Sequence, residues 1–238
     1  MLRIENLEIG YGSSLLRANT IHLERGKLYA LLGRNGIGKS TFLQTIMKVV
    51  PPISGFISIQ GKSLEGINIK ELAKKVSLVR ATFDGVENLR VREFLLLGRI
   101  PHTNLFGMTQ SRDEEIVDEV VDLLHLGELL VKFTNQLSDG EKQLVAIGQA
   151  LVQQTELLLL DEPTAFLDYE NKWKIVQDLK KCTQDNQLCT IFSSHDLEMA
   201  LAVSDQLLLI NPITKEIQQI DSTEISKQEI IHRCFPNL

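Results

Sequence analysis

Cysteine is scarce in this chain, and its pattern excludes a stapled fold. Cys182, Cys189 and Cys234 are odd in number and form no CxxC pair. Neither a disulfide framework nor a paired-cysteine metal site is expected, and buried thiols in a reducing compartment are. Long apolar runs are missing as well. The densest, "LLLLD" and "LLLI", fall far short of the roughly 20 residues that a membrane-spanning helix needs, and "MLRIENLEIG" has no apolar leader core. The polypeptide is therefore expected to be soluble in itself, which leaves room for a membrane-embedded partner. No long basic tract occurs, and 25 Lys and Arg against 31 Asp and Glu give a net charge of −6, so no nucleic-acid partner is expected. Internal repeats and low-complexity linkers are also absent. The 238 residues, 43% hydrophobic and 24% charged, read as a single domain with a core large enough to need no staples.

What is present is an alternation of strand and helix signals. "LRIENLEIGYG" alternates and "LYALLG" is apolar, both strand patterns, and residues 39–49 follow a glycine turn with helical spacing. "PPISGFISIQGKSLEG" reads as turn, strand, turn, followed by a short helix over 69–73 and a strand over 76–79. From about 91 to 148 strand signals stop. There Ile116, Val117, Val120, Val121 and Leu124 recur at helical spacing behind an expected capping box from Ser111 to Glu114. Strands return at "LLLLD", "CTIFSS" and "QLLLI", separated by helical patterns over 169–184 and 196–203, which is a βαβ rhythm.

Four stretches carry chemistry. "GRNGIGKST", made of Gly33, Arg34, Asn35, Gly36, Ile37, Gly38, Lys39, Ser40 and Thr41, fits G-x-x-x-x-G-K-[ST] between a predicted strand and a predicted helix. The glycines allow the N–H groups of Gly36, Gly38 and Lys39 to converge on one anion at a helix N-terminus, and Lys39 adds a charge at the β- and γ-phosphates. The Ser40 hydroxyl is placed to hold Mg²⁺. "LLLLDEP" is a buried strand ending in Asp161 and Glu162, carboxylates that strand packing does not call for but that the ligand-binding end of an α/β sheet does. Asp161 is expected to hold Mg²⁺ through water, and Glu162 to orient or deprotonate the water that attacks a γ-phosphate. His195, in "SSHD", reads by itself as a helix-start residue or a satisfied buried imidazole, while its position one strand beyond the acids offers a γ-phosphate contact. "LSDGEKQ" places Ser138 three residues before Glu141, a capping box that by itself marks only a helix start.

Together and in this order, these residues resemble the nucleotide-binding subunits of ATP-binding cassette (ABC) transporters over nearly the whole chain. The resemblance implies an ATPase using ATP and Mg²⁺. It assigns Tyr11, in "IGYG", to adenine stacking, residues 33–41 to the Walker A loop, and "LLLLDEP" to Walker B with Glu162 as its catalytic glutamate. Ser138, Asp139, Gly140 and Glu141 fall at the signature, "AFLD" ending at Asp168 at the loop that couples two sites, and His195 at the switch histidine. The implied fold is an α/β P-loop NTPase core of ABC ATPase type with an antiparallel β subdomain, formed by about 1–90 and 149–238, and a helical subdomain over about 91–148 inserted before the signature. The implied partners are a second copy of the chain, paired head to tail so that each ATP lies between one Walker A loop and the other signature, an integral membrane permease, and indirectly a substrate-binding protein. The implied location is peripheral, on the cytoplasmic face of the cell membrane. "VREFLLLGRIPHTNLFG" resembles the iron-siderophore, haem and cobalamin importer branch. Two other readings stay open: a cassette that binds ATP with weak hydrolysis and acts as a regulator or scaffold, and a soluble cassette of DNA repair, translation or cluster assembly, for which no coiled-coil insertion, second cassette or basic tract is found.

The sequence departs from the family pattern twice. Ala81 stands where a metal-touching glutamine is expected after "VSLV", and alanine offers no ligand, while the Thr82 hydroxyl reaches less far than an amide. Asp139 stands where the signature has its first glycine, and Glu141 where it has glutamine. A carboxylate facing a triphosphate is repelled by roughly a few kcal/mol in a partly dry site, so Asp139 is expected to point away, the alternatives being pairing with a cation or weakened closure.

Overall fold

The first strand, β1 (Leu2–Gly10), alternates buried Leu2 and Ile4 with exposed Arg3, then breaks step at Asn6, whose φ is +47°. Its pairing with β4 (Ser54–Ile59) shifts register between Glu5 and Glu8, and this bulge returns Leu7 and Ile9 to the buried face. With β2 (Ser14–Leu23) and β5 (Lys62–Ser63) these strands make an antiparallel sheet of order β2-β1-β4-β5. The structure, a computed structural model, describes residues 1–103 and 109–235.

A second sheet runs β10-β9-β3-β8-β7-β6. Its strands β3 (Lys27–Leu32), β6 (Val76–Val79), β7 (Leu157–Leu160), β8 (Cys189–Ser194) and β9 (Gln206–Ile210) are parallel, and β10 (Ile217–Asp221) closes one edge antiparallel to β9. Burial on both faces explains their unbroken apolar runs. Tyr29 and Leu31 of β3 enter one core with Phe42, Leu43 and Ile46 of α1 (Lys39–Ile46), which lies between the two sheets; Leu28, Ala30 and Leu32 enter another that holds most of the remaining helices. Those helices are α3 (Val91–Leu97), α4 (Ser111–Leu124), α5 (Asp139–Val152), α6 (Tyr169–Asp185), α7 (Leu197–Val203) and α8 (Lys227–Cys234), the short α2 (Ile69–Leu72) lying apart before β6. None of the helices among the described residues is long and apolar enough to cross a membrane.

Several sequence expectations shift. The helix expected over 39–49 ends at Ile46 because Lys48 adopts φ +59° and Pro51 and Pro52 follow. Helix α5 runs through Gly148 to Val152; a Cβ at Gly148 would lie 3.1 Å from both Leu95 and Leu126, so this glycine permits close packing. The capping box expected at Ser111 is instead set one residue earlier, where the Gln110 N–H donates to Asp113 at 2.9 Å. Strands β2 and β10 and helix α8 had no counterpart in the sequence reading. The three cysteines are buried, and burial pushes their thiols up, that of Cys234 to about 11 and that of Cys189 to about 12, so they are inert packing groups.

Asp113 shifted the cap because it serves two partners. Its second oxygen accepts from Arg99 Nε at 2.8 Å, and Arg99 Nη1 donates to the Val152 carbonyl at 2.9 Å, which ties the end of α3, the start of α4 and the end of α5 to one buried guanidinium. Replacing Arg99 by Ala is expected to cost roughly 3 kcal/mol, because it strands a buried carboxylate. The Gln110 N–H and the Arg99 guanidinium hold the Asp113 carboxyl below its ordinary value. Its stabilisation is therefore complete above the unfolded value of about 4 and drains away as pH falls through the lower folded value. Urea unfolding of the native chain and of Asp113→Asn should show a large stability gap at neutral pH that closes in strong acid; equal gaps at both would contradict the pairing.

Candidate functional site

Register between three parallel strands assembles the site. Leu32 pairs with Ser194 and Leu160 with Phe192, so β3, β8 and β7 release their chains side by side at one sheet edge. The loop from β3 to α1 bends through Gly36 at φ +74° and Gly38 at φ +117°, conformations that side chains resist. At Gly38 space is limiting too, since a Cβ would stand 2.9 Å from both Leu15 and Leu16; at Gly36 it would meet nothing within 4 Å. The loop wraps the Lys39 ammonium, 4% exposed, which donates to the Gly33 carbonyl at 3.1 Å and the Arg34 carbonyl at 3.4 Å. The cleft above has a volume of about 370 Å³ and is lined by Tyr11, Leu15, Asn35, Gly36, Gly38, Lys39, Ser40, Thr41 and Glu162. A buried cation under a ring of N–H groups at the start of a helix without acids in its first turn suits an anionic ligand. Tyr11 is 68% exposed, which leaves its ring open for stacking.

The carboxylates enter from β7. Glu162 takes φ +46°, a left-handed conformation uncommon for a residue with a Cβ, and places Oε1 3.4 Å from Lys39 Nζ and Oε2 3.7 Å from His195 Nδ1. The backbone is held there by Ser193, whose hydroxyl accepts from the Glu162 N–H at 2.8 Å and donates to Asp161 Oδ1 at 2.7 Å. The structure rejects both simpler readings of His195. Its side chain is 55% exposed, so it is not a buried imidazole, and Asp196, which accepts from the Met199 N–H at 3.1 Å, is the residue that caps α7.

Ser138, Asp139, Gly140, Glu141 and Asp168 do not line this cleft. The capping box at Ser138 is present: its N–H donates to Glu141 Oε2 at 2.8 Å and its Oγ accepts from the Glu141 N–H at 3.3 Å. The Ser138 N–H, with Lys132 at 3.0 Å, holds the Glu141 carboxyl below its usual range. The Asp139 carboxylate is 70% exposed and pairs with Lys142 one turn along the same helix at 3.2 Å. A Cβ at Gly140 would touch Leu167 at 3.2 Å, which puts the start of α5 against the "AFLD" segment, and Asp168 caps α6 by accepting from the Asn171 N–H at 2.9 Å. Ala81 lies two residues past the end of β6 and is half-buried. Farther along that connection, the buried Thr134 hydroxyl accepts from the Val86 N–H at 2.8 Å and donates to the Val86 carbonyl at 2.9 Å, so the chain after β6 is pinned to the segment leading into α5.

Sequence reasoning missed Ser193, Thr134 and Arg99. Ser193 was visible in "SSHD", but nothing local to it says which strand will lie alongside. The hard-oxygen pair Ser40 and Asp161 fits a magnesium-like cation. Among the described residues no cluster of three or more His, Cys, Asp or Glu side chains could hold a metal without ligands from elsewhere.

Comparison with known proteins agrees with the geometry. Residues 16–165 match the family model for the ABC transporter. The chain is 34% identical over 236 residues to an uncharacterised ABC transporter ATP-binding protein of Methanocaldococcus jannaschii, covering 99% of this chain and 81% of that one. It is 31% identical over 235 residues to the iron(3+)-hydroxamate import ATP-binding protein FhuC of Bacillus subtilis, covering 98% and 87%. Its fold matches, at a TM-score of 0.85 and 27% identity over 99% of this chain and 88% of the other, an inward-facing transporter assigned to the metal-chelate ABC type. A glycine cradle on a buried lysine, carboxylates at the end of β7 and relatives matched over more than four-fifths of their length lead to one conclusion: the chain belongs to the ABC transporter family, as one of its ATP-binding ATPase subunits.

Proposed function

We propose that this chain powers import of an iron-siderophore, haem or similar metal chelate, working as a head-to-tail pair on the cytoplasmic face of a membrane permease that receives cargo from a substrate-binding protein. The observation that carries its ATPase chemistry is the buried Lys39 facing Glu162, with His195 at the other carboxylate oxygen. In this reading the N–H groups of the 33–39 loop and Lys39 bind the β- and γ-phosphates and offset the charge that develops on transfer. Glu162 orients the attacking water and accepts its proton, and His195 reaches the γ-phosphate from the exposed side. Tyr11 stacks on the base. Ser40 and Asp161 would hold Mg²⁺, which supplies charge neutralisation when bound.

Because Ser138 to Glu141 lie off the cleft of their own chain, a second copy is the natural source of a signature for it. There the Ser138 hydroxyl, Gly140 and the start of α5 face phosphate, with Asp139 balanced by Lys142 and Glu141 by Lys132. Asp168, beside that helix start, couples the two sites. The helical segment between β6 and β7 is the docking surface for the permease. Import rather than export is supported by the names of relatives such as FhuC and by the "GRIPHTNLFG" stretch, whose residues 104–107 lie outside the described residues. Ala81, which offers no metal ligand, favours a second reading, a weakly hydrolysing regulatory cassette.

Phosphate release from the purified chain separates the two readings. Glu162→Gln should lower turnover by about a hundredfold or more, and undiminished release would remove Glu162 from its role. The cradle makes a finer prediction for equilibrium binding of a non-hydrolysable ATP analogue. Gly38→Ala should weaken binding far more than Gly36→Ala, because only the former meets Leu15 and Leu16. Equal losses would mean that backbone conformation alone, and not space, sets the loop.

A further inference from the structure

We infer that Ser193 is a positioning residue for ATP hydrolysis: its hydroxyl fixes the two carboxylates that end β7 relative to each other. The inference rests on the proposed roles of Asp161 and Glu162 and goes beyond them to a residue on another strand.

The geometry is specific. Ser193 is fully buried on β8, the strand between β3, which feeds the phosphate loop, and β7, which feeds the acids. In register, Ser193 pairs with Leu31 on one side, and on the other lies one step past the Leu160–Phe192 pair, level with Asp161. A hydroxyl has one proton to donate and lone pairs to accept with, and here both capacities are used on neighbouring residues of one motif: it donates to Asp161 Oδ1 and accepts from the Glu162 N–H. Two consequences follow. Oδ1 of Asp161 is occupied, and among the described residues Oδ2 has no protein donor, so a hard cation meets a carboxylate of fixed orientation. The Glu162 N–H, the only backbone donor adjacent to that residue's left-handed φ, is satisfied without help from water, which keeps the strained conformation and aims the side chain between Lys39 and His195. His195 follows two residues after Ser193 on the same chain, so the strand whose hydroxyl fixes the two acids also delivers the histidine that faces Glu162.

A bland packing role predicts a different outcome, because alanine fills most of the volume of serine. Three variants separate hydroxyl from shape: Ser193→Ala, Ser193→Thr, which keeps the hydroxyl, and Ser193→Val, which matches threonine in shape and lacks it. In steady-state hydrolysis Ser193→Ala and Ser193→Val should lose at least tenfold in kcat with KM for ATP changed by no more than about twofold, since the phosphate loop is untouched, and Ser193→Thr should keep most of the native kcat. Binding of a non-hydrolysable ATP analogue gives a readout independent of turnover: in EDTA the Ala and native chains should bind alike, and the gain in affinity on adding Mg²⁺ should be smaller for Ala. Native kcat in Ser193→Ala, or a fall in Ser193→Thr as deep as that in Ser193→Val, overturns the inference. Glu162→Gln assayed alongside tells its failure from that of the underlying reading: if Glu162→Gln loses turnover while Ser193→Ala does not, only the role of Ser193 is wrong, whereas native turnover in Glu162→Gln removes the reading on which it rests.

Discussion

Parallel pairing of β3, β8 and β7 is the constraint on which the site depends. Strand direction and register together decide that the phosphate loop, the acids and the histidine emerge at one edge, within a few ångströms of each other. A slip of one residue along β7 would exchange its two faces and carry Asp161 and Glu162 away from Lys39. The apolar content of these strands is what prevents the slip. Leu157 and Leu159 belong to the core that contains α1, Leu158 and Leu160 to the core beneath the other helices, and both sets are fully buried. Packing energy on two faces thus fixes the placement of a few charges at the strand ends.

The charges are handled economically. Lys39 is buried without a close full counter-ion pair, leaning on two carbonyls and a carboxylate at 3.4 Å, an arrangement that leaves it available to phosphate. At the start of α5 the opposite holds. Two acids that a triphosphate would repel are each paired with a lysine, Asp139 with Lys142 and Glu141 with Lys132, so that helix start presents a hydroxyl, a glycine and its N–H groups rather than net negative charge. The Asp139 carboxylate is 70% exposed, against 17% for the Lys142 side chain, so solvent screens the pair and weakens it; in the proposed pairing of two chains this is the adjustable end of the site.

Legibility from sequence divided along physical lines. Features encoded within a few residues were readable: the glycine loop, whose φ values demand glycine at 36 and 38, the four leucines of β7, the Ser138 cap, and the βαβ rhythm that implies a parallel sheet. The Gln110–Asp113 cap was misread by one residue because Asp113 answers to Arg99, 14 positions away. The role of Ser193 could not be read for the same reason, its partners being 31 and 32 residues distant and defined only by strand register. Strands β2 and β10 were overlooked because polar residues interrupt them, exposed in β2 and half-buried in β10, and their stability comes from edge pairing rather than burial on both faces.

The central claim is that one chain carries only half of each phosphate site, its cleft lacking the signature that its own α5 presents elsewhere. Sedimentation of the Glu162→Gln chain with and without ATP, with bound nucleotide counted in the same samples, tests this most directly. The account predicts the 26.8 kDa monomer without nucleotide and twice that mass with ATP, two nucleotides retained per pair. A chain that stays monomeric while ATP fills its cleft would contradict it.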